Sequence, residues 1–247
     1  MSLFSDLLLQ YPNLIHTATQ DGWTALMLAA YGGHLACLQL LVDRGATVNA
    51  ADQDGWTAIM AAAYGGHLTC LQLLVGRGAE VNLADQNGWT ALIGAAYGGH
   101  ITCLQWLVEN GAEVDAVAQD DGTAIMRAAE GGHLTCLQYL VDRGADVKVV
   151  AQDGWTAIML ATEGGHLTCL QLLIDRGADV NAVAQKGVTA IMRAAMGGRL
   201  TCLQLLVGRG ADLNAEDDDG GTAYQYAARS GHQDCMDYLI LKGAAVP

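Results

Sequence analysis

Basic residues are scarce in this chain. Lys and Arg number 12 among 247 residues, against 26 Asp and Glu, for a formal net charge of −14. Nucleic acid and anionic lipid bind clustered cations, so both are set aside as partners. The complement of such a chain is a neutral or basic protein surface. Proline is rarer still, with 2 copies, and no linker or low-complexity tract breaks the sequence. No apolar run approaches the roughly 20 residues that cross a bilayer. Met1 to Leu9 is too short for a signal peptide and lacks its basic start. Catalytic signatures are missing as well. No serine stands in a nucleophile-elbow context, no glycine-rich loop follows a strand, and no carboxylate pair stands apart from the general pattern. The expectation is a protein that is not an enzyme, uses no cofactor, and works in the cytoplasm or nucleus.

What the chain does have is a period. Its cysteines stand at 37, 70, 103, 136, 169, 202 and 235, each 33 residues after the last. A second column holds Thr24, Thr57, Thr90, Thr123, Thr156, Thr189 and Thr222, and a third runs from Gly33 to Gly231. A fixed period over a whole chain marks stacked repeats in place of one core. The cysteines also indicate a reducing compartment. Equivalent positions in packed helical repeats lie roughly 10 Å apart, beyond the ~7 Å between Cα atoms that a disulfide tolerates. They read as buried thiols acting as small apolar residues.

One unit shows the local logic. Asp54-Gly55-Trp56-Thr57-Ala58-Ile59-Met60 leads into alanines, Tyr64, Gly65-Gly66 and His67. The segment Leu68 to Arg77 carries Leu68, Cys70, Leu71, Leu73, Leu74 and Val75 on a broad apolar face. Gly78 after Arg77 suits a left-handed helix cap. The pattern predicts helix, tight turn, helix, then a polar turn of about ten residues.

These motifs resemble the ankyrin-repeat family from about residue 3 to residue 246. Thr57-Ala58-Ile59-Met60 stands where that family has Thr-Pro-Leu-His; Gly66-His67-Leu68, Leu74-Val75, Gly78-Ala79 and Val81-Asn82 match its other signature segments. The resemblance implies an all-α solenoid of stacked helix-turn-helix units joined by short β-hairpin-like turns. The family's Pro is Ala in all seven units, Ala25 through Ala223, a mild change since Ala is a good helix former. Its His becomes Met27, Met60, Ile93, Met126, Met159, Met192 and Gln225. The methionines would replace an inter-repeat hydrogen bond with apolar filling. A single domain over 1–247 is expected: an N-terminal half-repeat cap at 1–18 with Phe4 in the cysteine column, six internal repeats at 19–216, and a polar capping repeat at 217–247.

His-x-x-Cys recurs six times, as in His67/Cys70, but no second pair converges to complete the four ligands of a zinc site. Arg199 also replaces the sixth histidine, so no metal is expected. The family reading has the His start the second helix and satisfy turn backbone groups.

Function is then sought where the columns vary. The resemblance implies that partners meet the turn tips and the exposed side of the first helices, a concave surface. Before each column Thr the chain reads Trp23, Trp56, Trp89, Gly122, Trp155, Val188 and Gly221. First helices end in Tyr31, Tyr64, Tyr97, Glu130, Glu163, Met196 and Arg229. Three residues earlier stand Leu28, Ala61, Gly94, Arg127, Leu160, Arg193 and Tyr226. The first half thus offers an aromatic patch, the second a charged one, and the tips change in step as Asp52 and Asp85 give way to Ala118, Ala151 and Ala184. Trp and Tyr are enriched in binding hot spots, but each Trp could equally pack on its neighbour's turn, and Arg127 and Glu130 could simply pair with each other. The reading is a monomeric, non-catalytic scaffold that binds a partner protein through Trp23, Tyr31, Trp56, Tyr64, Trp89, Tyr97 and Trp155, with Arg127, Glu130, Glu163, Arg193 and Met196 adding selectivity. Three alternatives stay open: a designed or consensus-like scaffold without a natural partner, a fragment of a larger recently expanded repeat protein, and a substrate for hydroxylation at Asn49, Asn82, Asn181 and Asn214, positions the resemblance suggests.

Overall fold

A computed structural model describes residues 15, 17–120 and 122–245. The expected cap at 1–18, Phe4 included, lies almost wholly outside them. The chain forms two compact units, 1–119 and 120–247.

Among the described residues unit 1 carries three helix pairs: α1 (Ala25–Tyr31) with α2 (Leu35–Asp43), α3 (Ala58–Tyr64) with α4 (Leu68–Gly76), and α5 (Ala91–Tyr97) with α6 (Ile101–Glu109). Unit 2 carries four: α7 (Ala124–Glu130) with α8 (Leu134–Asp142), α9 (Ala157–Gly164) with α10 (Leu167–Asp175), α11 (Ala190–Met196) with α12 (Leu200–Gly208), and α13 (Ala223–Ser230) with α14 (Gln233–Leu241). Among the described residues extended structure is confined to isolated bridges, such as Ala51 with Thr57 and Val150 with Thr156. These close the hairpin-like turns.

First helices start at the column threonine. Thr24, Thr90 and Thr222 accept a hydrogen bond from the backbone N–H three residues on, the N-cap bond that threonine is suited to make. Gln225, standing where the family has His, closes a reciprocal capping box with Thr222. The helices are short and rich in alanine because they are packed on several sides: Ala58 through Ala63 are all buried in α3. The methionines at the family's His position are buried too, and fill the interior as expected.

Second helices bury Cys, Leu and Leu on one face, for instance Cys136, Leu137 and Leu140 in α8. Each fully buried leucine contributes about 1.5–3 kcal/mol. They end at a glycine with φ near +90°, such as Gly78 and Gly144. There Ala79 N–H reaches back to Leu74 O at 2.9 Å and Gly78 N–H to Val75 O at 3.0 Å, which satisfies the terminal carbonyls. The seven cysteines are free thiols, and all but the half-buried Cys37 are buried. The last helix exposes Gln233, Asp234 and Asp237 together with Leu241, which is 78% exposed.

Candidate protein-binding surface

Successive repeats are tied at the turn tips. In unit 1, Gln53 Nε2 donates to Gln20 O at 2.8 Å and Gln86 Nε2 to Gln53 O at 2.7 Å, and Gln119 continues the row onto Gln86 O. In unit 2, Gln185 Nε2 reaches Gln152 O at 3.4 Å. Backbone bonds run beside them, as from Gln86 N to Asp54 O at 2.8 Å. Within the tips of the second and third repeats, Asp52 and Asp85 each accept from the backbone N–H of the following Trp at 2.7 Å. These bonds fix the tips relative to one another within each unit.

The histidines work across repeats. Their side chains do not cap their own helices. His166 Nε2 instead donates to Glu130 O at 3.0 Å and His232 Nε2 to Met196 O at 3.0 Å. The rings of His67, His100, His166 and His232 lie where a Cβ on the preceding repeat's turn glycine would stand: His100 Nδ1 is 2.4 Å from such a Cβ at Gly66. Arg199, which replaces the sixth histidine, donates from Nε to Glu163 O at 3.2 Å and keeps the tie. His166 and His232 thus each satisfy a helix-end carbonyl 36 residues back in sequence, where the turn they open was expected. Among the described residues no three His, Cys, Asp or Glu converge to hold a metal.

The asparagines also bridge repeats. Asn82 Nδ2 donates to Gly111 O at 2.9 Å while its Oδ1 accepts from Glu113 N at 3.0 Å. Asn49 and Asn181 make the same pair of bonds to the repeat that follows. Replacing Asn82 with Ala is expected to cost about 1–2 kcal/mol in urea unfolding, since two exposed bonds are lost together; an unchanged midpoint would show that water replaces them in full. On the outer side Arg77, Arg176 and Arg209 reach Asp43, Asp142 and Asp175 of the repeat before, at 2.7, 2.9 and 2.6 Å. Hydrogen bonds from Gln39, Gln138 and Gln171, and then from those arginines, hold the three carboxyls below the usual carboxylate range.

The aromatic residues of unit 1 form two rows in contact. Tyr31, Tyr64 and Tyr97 stack in series, with ring centroids 6.2 and 5.9 Å apart. Each Trp meets the Tyr of its own repeat edge-on: Trp23 with Tyr31 at 5.8 Å, Trp56 with Tyr64 at 6.2 Å and Trp89 with Tyr97 at 5.7 Å. Trp56 also touches Trp89 at 6.4 Å. The indoles are half-buried by this packing, while Tyr31 and Tyr97 remain 48% and 40% exposed. The rings are both structural and presented.

Unit 2 replaces this ladder with charge. Arg127 donates from Nη1 to Glu130 at 3.0 Å and from Nη2 to Asp120. Burial pushes the Asp120 carboxyl up, but the Gly122 N–H and the Arg127 guanidinium outweigh it and hold it below the usual range. Trp155 lies under the guanidinium of Arg193 at 4.4 Å, with Glu163 3.8 Å from Arg193. Met196 is half-buried. Tyr226 donates its hydroxyl proton to Asp217 at 2.5 Å.

A further regularity escaped the column-by-column reading. A tip Trp is followed five residues later by Leu28, Ala61, Gly94 or Leu160; the tips without Trp, at Gly122, Val188 and Gly221, are followed by Arg127, Arg193 and Tyr226. At Gly122 the Arg127 guanidinium takes up the space beside the tip; at Gly221 the Asp217 carboxylate does, held there by the Tyr226 hydroxyl; Arg193 lies instead over the Trp155 ring. The signal was present in the sequence as a fixed spacing of the two columns.

Comparison with known proteins agrees with this architecture. The sequence model described as ankyrin repeats (3 copies) matches residues 3–85, 48–120, 66–151, 113–184 and 181–247. The chain belongs to the ankyrin-repeat family. Among solved structures, the human ASB11 ankyrin repeat domain matches with a TM-score of 0.80 and 27% sequence identity, over 91% of this chain and 100% of that one. No curated protein matches significantly. Ankyrin repeats are in general modules of protein–protein interaction, and the fold is typically a non-enzymatic scaffold. No helix among the described residues is long and apolar enough to cross a membrane.

Proposed function

We propose that this ankyrin chain is a preformed, non-catalytic binding module whose turn tips and first helices, the concave side in this family, receive a partner protein. The observation that carries the reading is the pair of aromatic rows on unit 1. Rings that brace one another lose little freedom on binding, and large rigid side chains give contact area at low entropic cost. The tips that bear the tryptophans are tied to one another by the glutamine row, which fixes their spacing in advance. Trp23, Trp56, Trp89, Tyr31, Tyr64 and Tyr97 are the anchors in this reading; Arg127, Glu130, Trp155, Glu163, Arg193 and Met196 set selectivity on unit 2. The excess of acid over base favours a neutral or basic partner working in a reducing compartment.

Affinity capture from lysate with the intact chain, beside Trp56→Ala/Tyr64→Ala, tests this. A protein held by the first and lost by the second, with helical far-UV circular dichroism in both, is the expected result. Capture of the same proteins by both would reject the aromatic face. Capture by neither would favour a scaffold without a partner.

A further inference from the structure

Unit 2 holds an open cleft beside a tip that carries no ring. Beside Gly122 lies a space of about 280 Å³ lined in part by Arg127, Trp155, Asp120, Glu130, Asp153 and Glu163. This is smaller than the roughly 300–1,000 Å³ of pockets that hold drug-sized molecules. It suits one long side chain better than a metabolite. Four carboxylates and one cation line it, and with Arg193 beside Glu163 the local excess is two negative charges. Arg127 is committed to Asp120 and Glu130. Asp153 accepts from the backbone N–H of Trp155 at 3.2 Å, and Glu163 has Arg193 at 3.8 Å.

The chain itself shows what the indole accepts. The Arg193 guanidinium lies 4.4 Å from the Trp155 ring centroid, beside Glu163, and Arg193 does not line the cavity. A planar guanidinium combines stacking on an aromatic face with a fork of donors that matches carboxylates; an ammonium offers only the point charge. Building on the protein-binding reading, we propose that this cavity receives an arginine side chain of the partner protein, its guanidinium between the Trp155 indole and the carboxylates of Asp153 and Glu163.

The test uses the full chain and N-acetyl-arginine methylamide as probe. Its neutral citrulline counterpart and its lysine counterpart serve as controls. The readout is the indole N–H resonance of Trp155, assigned with Trp155→Phe. The arginine probe should shift that resonance saturably, with a Kd of about 1 mM, as expected of one side chain contributing ~4 kcal/mol. Citrulline should leave it in place. Asp153→Asn/Glu163→Gln should weaken the response at least about fivefold with circular dichroism unchanged, and Gly122→Trp/Arg127→Ala, which fills the cavity, should abolish it. No saturable shift, an equal response to citrulline or lysine, or full affinity in the carboxamide variant would overturn the proposal. Lysate capture separates it from the broader reading: a partner held equally by the intact chain and Asp153→Asn/Glu163→Gln would leave the binding module standing and remove the arginine site. A saturable arginine response without any captured protein would do the reverse.

Discussion

Gly122→Trp should destabilise unit 2 by about 2–3 kcal/mol, and adding Arg127→Ala should recover most of that loss. A Cβ at position 122 would stand 2.6 Å from Arg127 Nη2 and 2.8 Å from Asp120 Oδ1, so any side chain there must displace the ion pair. Arg127 has little room to move, with its side chain 14% exposed. Overpacking of this kind costs roughly 1–3 kcal/mol, and a part-buried guanidinium pulled from its carboxylates adds to it. The double variant recreates the second repeat, where Trp56 stands five residues before Ala61. It trades the ion pair for an indole over a small residue, an arrangement the fold already uses. The seventh repeat follows the same rule: a Cβ at Gly221 would lie 2.7 Å from Asp217 Oδ2, the carboxylate that Tyr226 binds. Urea unfolding of the two single variants and the double gives the coupling, expected at about 2–3 kcal/mol. Costs that merely add would show that the tip and the first-helix column vary independently.

That coupling also marks the limit of what the sequence reveals. The repeat period, the helix pairs and the glycine caps were legible because each signal recurs seven times, so chance matches average out. Burial of the cysteine and methionine columns followed from their place on apolar faces. Contacts between repeats were not legible. His166 finds Glu130 O, 36 residues back, and Arg77 finds Asp43, 34 residues back; neither spacing is a property of one helix. Both depend on how far apart and at what angle the repeats stack. Exposure of the aromatic rows was hidden for a related reason. Trp56 is half-buried because Tyr64 and Trp89 lie against it, whereas Tyr31, which closes a first helix as Tyr64 does, is more exposed.

Above about pH 9 the chain should lose stability progressively, through its buried thiols. Burial pushes Cys103, Cys136 and Cys169 up from the ordinary 9.0 to about 11, only partly offset by the hydroxyl of the preceding threonine. Burial likewise raises Cys70, Cys202 and Cys235. The neutral thiol suits the apolar face; the thiolate does not. An unfolded chain therefore releases these protons near pH 9 while the folded chain holds them to about pH 11. Their stabilisation is whole below pH 9 and is lost as pH climbs through that window, because the unfolded state binds fewer protons there. A shift from 9.0 to about 11 corresponds to a few kcal/mol per thiol at most, so the set acts on the scale of a whole domain's net stability of roughly 5–15 kcal/mol. Urea midpoints at pH 7.5, 9 and 10.5 follow the effect, and Cys136→Ala/Cys169→Ala isolates it. The variant should be less stable at pH 7.5, having lost packing, yet should fall less between pH 9 and 10.5 than the parent chain. Parallel falls would assign the alkaline transition to other groups, such as Tyr226, whose hydroxyl is held above its usual range by its bond to Asp217. A smaller fall in the variant would establish that the cysteine column is stable only while its thiols stay protonated.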